Sequence, residues 1–172
     1  MKVILFMAQT ANGIIARENY NEDFLSDENW KVFCKIAKNI GCFVIGRKTY
    51  DVVKEKYNNY NFNDVKAKKI VVSRNPKFKP KGYIIARSPK DVIKKAKLAG
   101  FKNILLTGGS KLNTAFMKSG LVDEIVLNIE PVVVGKGISL FSEEKFEFRL
   151  KLNKIKRLPS GIIQLNYKVK KK

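Results

Sequence analysis

The sequence predicts an α/β domain with a largely parallel central sheet. Three observations carry that reading. Short apolar runs of strand length alternate with segments of helical periodicity. Several of those runs end in glycine-bearing corners that lead into a helix. The chain closes on two segments of period-two alternation around Pro159-Ser160-Gly161, a hairpin that adds antiparallel strands at one edge of the sheet.

Taken in order, Val3 to Ala8 is an apolar run read as a buried strand, broken at Asn12-Gly13. Residues 17–26 are polar and irregular. Ser26 or Asp27 then caps a helix in which Trp30, Phe33, Cys34 and Ala37 recur at helical spacing, and Gly41 ends it. Cys42 to Ile45 is a second buried strand, closed by Gly46-Arg47, and Thr49 to Lys56 reads as a short helix. Ile70 to Val72 and Tyr83 to Ala86 are the third and fourth strands. Ser88-Pro89-Lys90-Asp91 starts a helix with proline in the permitted first turn. Asn103 to Leu106 is a fifth strand, followed by Thr107-Gly108-Gly109-Ser110 and a helix through Leu112, Ala115, Phe116 and Met117 that ends at Gly120. Glu124 to Ile129 is a sixth strand, and residues 146–157 and 161–169 are the arms of the hairpin. No repeat or linker interrupts the series, so one domain over residues 1–172 is expected.

Composition narrows the chemistry. The 172 residues contain no histidine, which removes imidazole acid–base catalysis, Ser-His-Asp and Cys-His machines and His-ligated zinc. Cys34 and Cys42 form neither a CxxC nor a disulfide framework and read as reduced core residues of a cytoplasmic protein without a metal. No apolar run has membrane-spanning length. The net charge of +20 is the largest anomaly. Six of the 35 basic residues are arginine, the other 29 lysine, and lysine is scattered through every expected helix and turn; only Lys168, Lys170, Lys171 and Lys172 are concentrated. Nucleic-acid readers favour arginine with interleaved aromatics, so the balance reads as a solvated surface whose field favours a phosphorylated or carboxylated ligand.

In an open α/β sheet, ligands bind beyond the carboxyl ends of the strands. Three of those ends, Gly46-Arg47-Lys48-Thr49, Ser73-Arg74 and Thr107-Gly108-Gly109-Ser110, supply small residues, hydroxyls or guanidinium groups. The first and third open a helix, where free N–H groups and the helix dipole favour an anion. Together they suggest a dinucleotide laid across the edge. Arg47, Ser73 and Arg74 would suit a 2′-phosphate, which favours NADPH over NADH. There is no GxGxxG, and Gly41 to Thr49 fails as a P-loop because its interior is a strand.

Asp27, with Trp30 one turn on and Phe33 beyond, is the most interesting carboxylate. Facing an aromatic wall it would have a raised pKa and suit hydrogen bonding to a heterocycle and proton delivery; the alternative is that it caps the helix.

The segment ILLTGGSKLNTAFMKSGLVDEIVLNIEPVVVGKGISLF, residues 104–141, resembles the dihydrofolate reductase-like superfamily, and its GLVDE, EPVVVGKG and SLF pieces are similar to the branch containing the reductase domain of riboflavin biosynthesis. VIGRKTYD, residues 44–51, instead resembles dihydrofolate reductase proper. The resemblance implies a three-layer fold with a central, mostly parallel eight-stranded sheet, and hydride transfer from NADPH to a C=N bond of a pterin or pyrimidine. It implies that Gly46, Arg47, Lys48 and Thr49 hold cofactor phosphates, that Ser73 and Arg74 meet the 2′-phosphate, and that Gly108, Gly109 and Ser110 wrap the pyrophosphate. Ala8 would offer backbone groups to the nicotinamide, and Asn12, Gly13, Ile14, Ile15 and Ala16 would form a mobile loop over it. On the substrate side the candidates are Asp27, Trp30, Lys31, Thr49 and Asn128, with Asp27 catalytic.

The Asp-x-x-Trp spacing points to dihydrofolate as leading substrate, and a ribosylamino-pyrimidine phosphate is the alternative. Two positions depart from the folate pattern: Ala67, flanked by Lys66 and Lys68, stands where the folate-tail arginine belongs, and Asp23-Phe24 where a Pro-Trp pair belongs. A non-catalytic nucleic-acid-binding relative is the remaining reading. The family contains monomers and homodimers alike.

Overall fold

The central strands send alternate residues to two separate apolar layers, and this alternation sets the architecture. The computed structural model describes residues 1–56 and 61–171; Lys172, from the basic tail, lies outside them. Strand β1 spans Lys2–Thr10, β3 Cys42–Gly46 and β6 Asn103–Leu106. Val3, Leu5, Cys42, Val44, Ile104 and Leu106 face one layer, where Val92 and Ala96 of helix α3 (Pro89–Leu98) and Phe116 and Met117 of α4 (Ser110–Lys118) pack. Phe6, Phe43, Ile45 and Leu105 face the other, against Phe33 and Ala37 of α1 (Asp27–Ile40) and the α2 helix (Arg47–Lys56).

With β4 (Lys68–Val72), β5 (Ile84–Ala86), β7 (Glu124–Glu130), β9 (Leu150–Arg157) and β10 (Ile163–Val169), these form an eight-stranded sheet in the order β5-β4-β3-β6-β1-β7-β10-β9. Pairs from β5 to β7 are parallel, and β10 and β9 add antiparallel strands at one edge. The expected α/β class and the three layers are therefore present.

Local signals explain the helix ends. Ser26 is the N-cap of α1, so of the two candidates it is serine, while Asp27 sits in the first turn beside the positive end of the dipole. Gly41 closes α1 with φ 81°, and the Ser88 hydroxyl accepts from the Asp91 amide at the start of α3.

Three expectations need correction. Helix α2 begins at Arg47 rather than Thr49, because the strand turns directly into it at Gly46. The first arm of the terminal hairpin begins at Leu150, and residues 146–149 are not strand; Phe146 and Phe148 pack against the core from irregular backbone, which mimics alternation. Residues Ile14–Ala16, expected in a mobile loop, form strand β2, which pairs antiparallel with β8 (Ile138–Ser139). All three β2 residues are buried. Gly137 permits this pairing: a Cβ there would lie 2.5 Å from the Ala16 carbonyl oxygen and 2.6 Å from Ile14 Cγ2. Among the described residues no helix is long and apolar enough to cross a membrane.

Candidate functional site

Parallel register decides which corners meet. Gly46 pairs with Val72, and Val44 with Leu106, so Arg47, Ser73 and Thr107 leave three adjacent strand tips. The Gly46 amide donates to the Gly108 carbonyl at 2.8 Å, and the Thr107 amide to the Val44 carbonyl at 2.9 Å. Gly109 is the N-cap of α4, and α2 starts directly after Gly46, so two helix N-termini converge. Amides of an opening turn lack intrahelical acceptors and carry the positive end of the dipole.

The glycines are required here. Gly108 has φ 87°, and a Cβ on it would lie 3.0 Å from Met7 Sδ. A Cβ on Gly109 would lie 3.3 Å from Thr49 Oγ1. The peptide between these glycines is cis. Ser110 is buried, with its hydroxyl 3.3 Å from that of Ser142.

Beside this corner, Ser73 is buried and its hydroxyl accepts from the Asn75 amide at 3.2 Å. Arg87 holds the turn by donating from one Nη1 to the carbonyls of Ser73 and Asn75, each at 2.7 Å. Arg74 and Arg47 are exposed. The Arg47 guanidinium lies 3.3 Å from Asp51 and 5.5 Å from the centroid of the Phe78 ring, while the Lys48 ammonium sits 4.4 Å from the centroid of Tyr20.

Next to the glycine corners is a cavity of about 120 Å³. That volume approaches the ~150 Å³ void known to admit a benzene ring, so its enclosed part suits one flat ring. Phe6, Trp30, Phe33 and Phe62 give it an aromatic wall, and Phe33 sits at its centre, within 5.3–6.3 Å of the other three by ring centroid. Ala8, Met7, Ile15, Leu25 and Val53 complete the apolar lining, and the polar lining is Glu22, Asn29, Thr49 and Thr107. Glu22 is half-buried, and burial pushes its carboxyl up to about 7 from an ordinary 4.5.

Behind the cavity runs a buried chain of amides. Gln164 donates to Asn128 Oδ1 at 2.9 Å, and Asn128 donates to Asn29 Oδ1 at 2.6 Å. Asn29 in turn donates to the Glu130 carboxylate, which also accepts from the Ser26 amide at 2.7 Å. The chain fixes the start of α1 against β7.

The structure brings Ala8, Ile15, Trp30 and Thr49 to the cavity and Gly46, Gly108, Gly109 and Ser110 to its edge. Asn12 and Gly13 lie on the turn after β1: Asn12 donates to the Val134 carbonyl at 2.8 Å, and the Ile14 amide donates to Thr10 Oγ1 at 2.9 Å. Asp27 is corrected. It is exposed and does not line the cavity. The buried face of α1 carries Asn29, Phe33 and Ala37, and position 27 lies roughly 160° around the helix from Asn29 and 120° from Phe33. Lys31 is likewise exposed, its ammonium 4.0 Å from Glu28. Asn128 stands one residue behind the lining.

Sequence reading missed Glu22, Asn29, Glu130 and Arg87. Asn29 carries a signal, since 29, 33 and 37 are spaced by four and share one stripe. Glu22 carries none, because it lies in the irregular segment before α1.

Sheet order and glycine corners give the chain a fold of the dihydrofolate reductase type. The chain belongs to the RibD C-terminal domain family, whose model matches residues 1–164. The uncharacterized protein YyaP of Bacillus subtilis (strain 168) is 29% identical over 182 residues, covering 96% of this chain and 94% of that protein. Among solved structures, a pyrimidine reductase-like protein from Corynebacterium diphtheriae NCTC superposes with TM-score 0.79 at 15% identity, covering 99% of this chain and 92% of that one. The deaminase/5-amino-6-(5-phosphoribosylamino)uracil reductase of Thermotoga maritima gives 0.74 at 16% over 98% and 56%. Dihydrofolate reductase from Enterococcus faecalis, complexed with NADP(H), gives 0.72 at 16% over 99% and 97%. The family match thus runs to the riboflavin-type branch, not to dihydrofolate reductase proper.

Proposed function

We propose that this protein is an NADPH-dependent reductase that delivers hydride to a C=N bond of a ribosylamino-pyrimidine phosphate. The observation that carries the reading is the junction of Gly46–Thr49 with Gly108–Ser110 beside a ring-sized aromatic cavity. The residues present fit the cofactor, because the corner is closed by glycines where a Cβ would collide with Met7 or crowd Thr49. Opening-turn amides of α2 and α4 would hold its phosphates. Arg47, Arg74 and Ser73 would receive a 2′-phosphate, with Arg87 keeping their turn in shape. Lys48 would add charge at the corner, Ala8 would meet the nicotinamide, and Asn12, Gly13, Ile14 and Ile15 would cover it as a tethered strand. NADPH held there would supply the hydride taken by the carbon of the C=N bond, with the nitrogen taking its proton from solvent.

The protein's own contribution is positioning and exclusion of water: Phe33 and Trp30 flatten the ring against the cavity wall. Dihydrofolate fits less well. The acid expected to grip its edge, Asp27, is outside the cavity, and Ala67 leaves the tail without its arginine.

Trp30, the single tryptophan, lines the cavity, so its emission reports binding. Titration with NADPH is expected to quench it, and NADPH oxidation is expected with the ribosylamino-pyrimidine phosphate and to be much slower with dihydrofolate. Absence of NADPH uptake by fluorescence and calorimetry would overturn the reading. Arg47→Ala combined with Arg74→Ala is expected to lower the preference for NADPH over NADH by about tenfold or more.

A further inference from the structure

We propose that one face of the β9–β10 hairpin is the surface on which two copies of this chain associate, sheet face against sheet face, about a two-fold axis. The hairpin lies at the edge of the sheet, and none of its residues lines the cavity, so this surface is independent of the reductase reading.

Register makes the hairpin two-faced. Across an antiparallel pair, directly opposite residues share a face of the sheet. Leu150 stands opposite Val169, Leu152 opposite Tyr167 and Ile155 opposite Leu165, while Lys151 stands opposite Lys168, Lys154 opposite Asn166 and Lys156 opposite Gln164. Strict alternation would have put Lys154 beside Leu152 and turned Ile155 to the lysine side. The register shifts between Asn166 and Tyr167, with Asn153 as the extra residue, and this bulge returns Ile155 to the apolar face. Solvent gives no reason to sort the aliphatic residues of an exposed edge strand onto one side; a partner does. Among the described residues six large hydrophobic side chains are exposed, and three of them are Leu150, Leu152 and Ile155, at 39%, 46% and 55%. Ile163, Leu165 and Tyr167 beside them are half-buried. Arg157, opposite Ile163 at the end of β9, is the one charged residue of the two strands on this side.

The occupant is a second copy because the face is apolar and nearly uncharged. The chain carries a net charge of +20, so an acidic partner would be drawn to the lysine side rather than to this one. An isologous contact asks only for self-complementarity, which an aliphatic sheet face has, and homodimer interfaces are the more apolar class. With the two apolar faces packed, Lys151, Lys156 and Lys168 of both copies point away from the contact. Edge-to-edge pairing of β9 with itself would instead bring its lysines alongside one another across the new ladder, and the bulge already breaks the free edge. The face runs about 26 Å along β9 and about 10 Å across the two strands. Two such faces bury roughly 1,000 Å² with their side-chain relief, the low end for a specific interface, so a dimer of micromolar strength is expected.

The test is analytical ultracentrifugation of the full chain from ~1 to ~200 µM, at ~50 and ~500 mM salt. The wild type is expected to reach twice the mass of one chain at the upper concentrations. It should associate at least as strongly at the higher salt, because screening relieves the repulsion of two +20 chains and an apolar contact loses nothing. Leu152→Lys with Ile155→Lys is expected to stay a monomer throughout, with the circular dichroism of the wild type. Leu152→Gln with Ile155→Gln, which adds no charge, is expected to weaken association about tenfold or more. Lys151→Glu with Lys156→Glu, on the opposite face, is expected to leave the dimer in place. A wild type that remains a monomer at ~200 µM, a dimer that survives both pairs of hydrophobic replacements, or association that falls as salt rises would each overturn the proposal. So would protection from exchange, in the dimer, of the β9 amides on its free edge, the mark of edge-to-edge pairing. Vesicles of phosphatidylcholine and phosphatidylserine are expected to leave the chain in solution; flotation that the glutamine variant does not share would assign the face to lipid and overturn the dimer.

Discussion

In the proposed reading the backbone itself is the recognition surface at the glycine corners, whereas on the far wall of the cavity it is side chains from α1 and from the irregular segment before it. Backbone recognition leaves a local trace: it needs glycine, a helix start and a strand end within a few residues, and Gly46–Thr49 and Gly108–Ser110 show all three. Side-chain recognition leaves no such trace. Whether Glu22 or Asp27 enters the cavity depends on the path of residues 17–26 and on the rotation of α1, and neither is written in a short motif. The glycine corners and the aromatic wall of one cleft thus differ in how far a sequence exposes them.

The largest effect is expected where the aromatic wall is also core. Phe33 is 5% exposed and stacks with or abuts Phe6, Trp30, Phe43 and Phe62. Phe33→Ala should cost about 3–5 kcal/mol in urea denaturation, because so many rings cannot close the void together. A loss under ~1 kcal/mol would mean that the wall is loosely packed and the contrast with the corners is weaker than described.

Next comes the charge buried on that wall. Glu22 has its folded pKa raised from 4.5 to about 7. The folded state therefore holds a proton that the unfolded chain has released between these values. Stability from this source is fully present below 4.5 and is lost as pH rises through 7. At ~1.4 kcal/mol per pKa unit the loss is at most about 3.5 kcal/mol, and less because the group is partly exposed. Urea melts at pH ~5 and ~8 should differ accordingly for the wild type, and Glu22→Gln should abolish most of the difference.

On the corner side, Gly108→Ala places a Cβ at φ 87° and 3.0 Å from Met7 Sδ. It should cost about 1–3 kcal/mol of stability. By displacing the carbonyl that accepts from Gly46, it should weaken NADPH uptake well beyond what a stability change of that size explains. Equal NADPH affinity would show that the corner tolerates a side chain and is not a backbone cradle.

The sheet was legible because burial on both faces leaves continuous apolar runs such as Cys42–Ile45, and the corners because glycine marks them. The small β2–β8 sheet was not, since two- and three-residue strands carry no period, and Gly137 reveals its role only once Ala16 is found 2.5 Å from where its Cβ would be. Asp27 is the instructive case. Its spacing to Trp30 is right for one face, but the stripe through Asn29, Phe33 and Ala37 fixes the rotation of α1 and turns position 27 outward.

That geometry supplies the smallest expected effect and the sharpest discriminator between the two acids. Asp27 is an exposed carboxylate in the first turn of α1 and is not among the described residues that line the cavity, so Asp27→Asn should leave kcat/KM within a few-fold of the wild type and its pH profile unmoved. Glu22→Gln, measured in parallel, should shift the profile. If instead Asp27→Asn removed the pH dependence and Glu22→Gln did not, the ring edge would be read from the helix, and α1 would have to rotate when substrate binds.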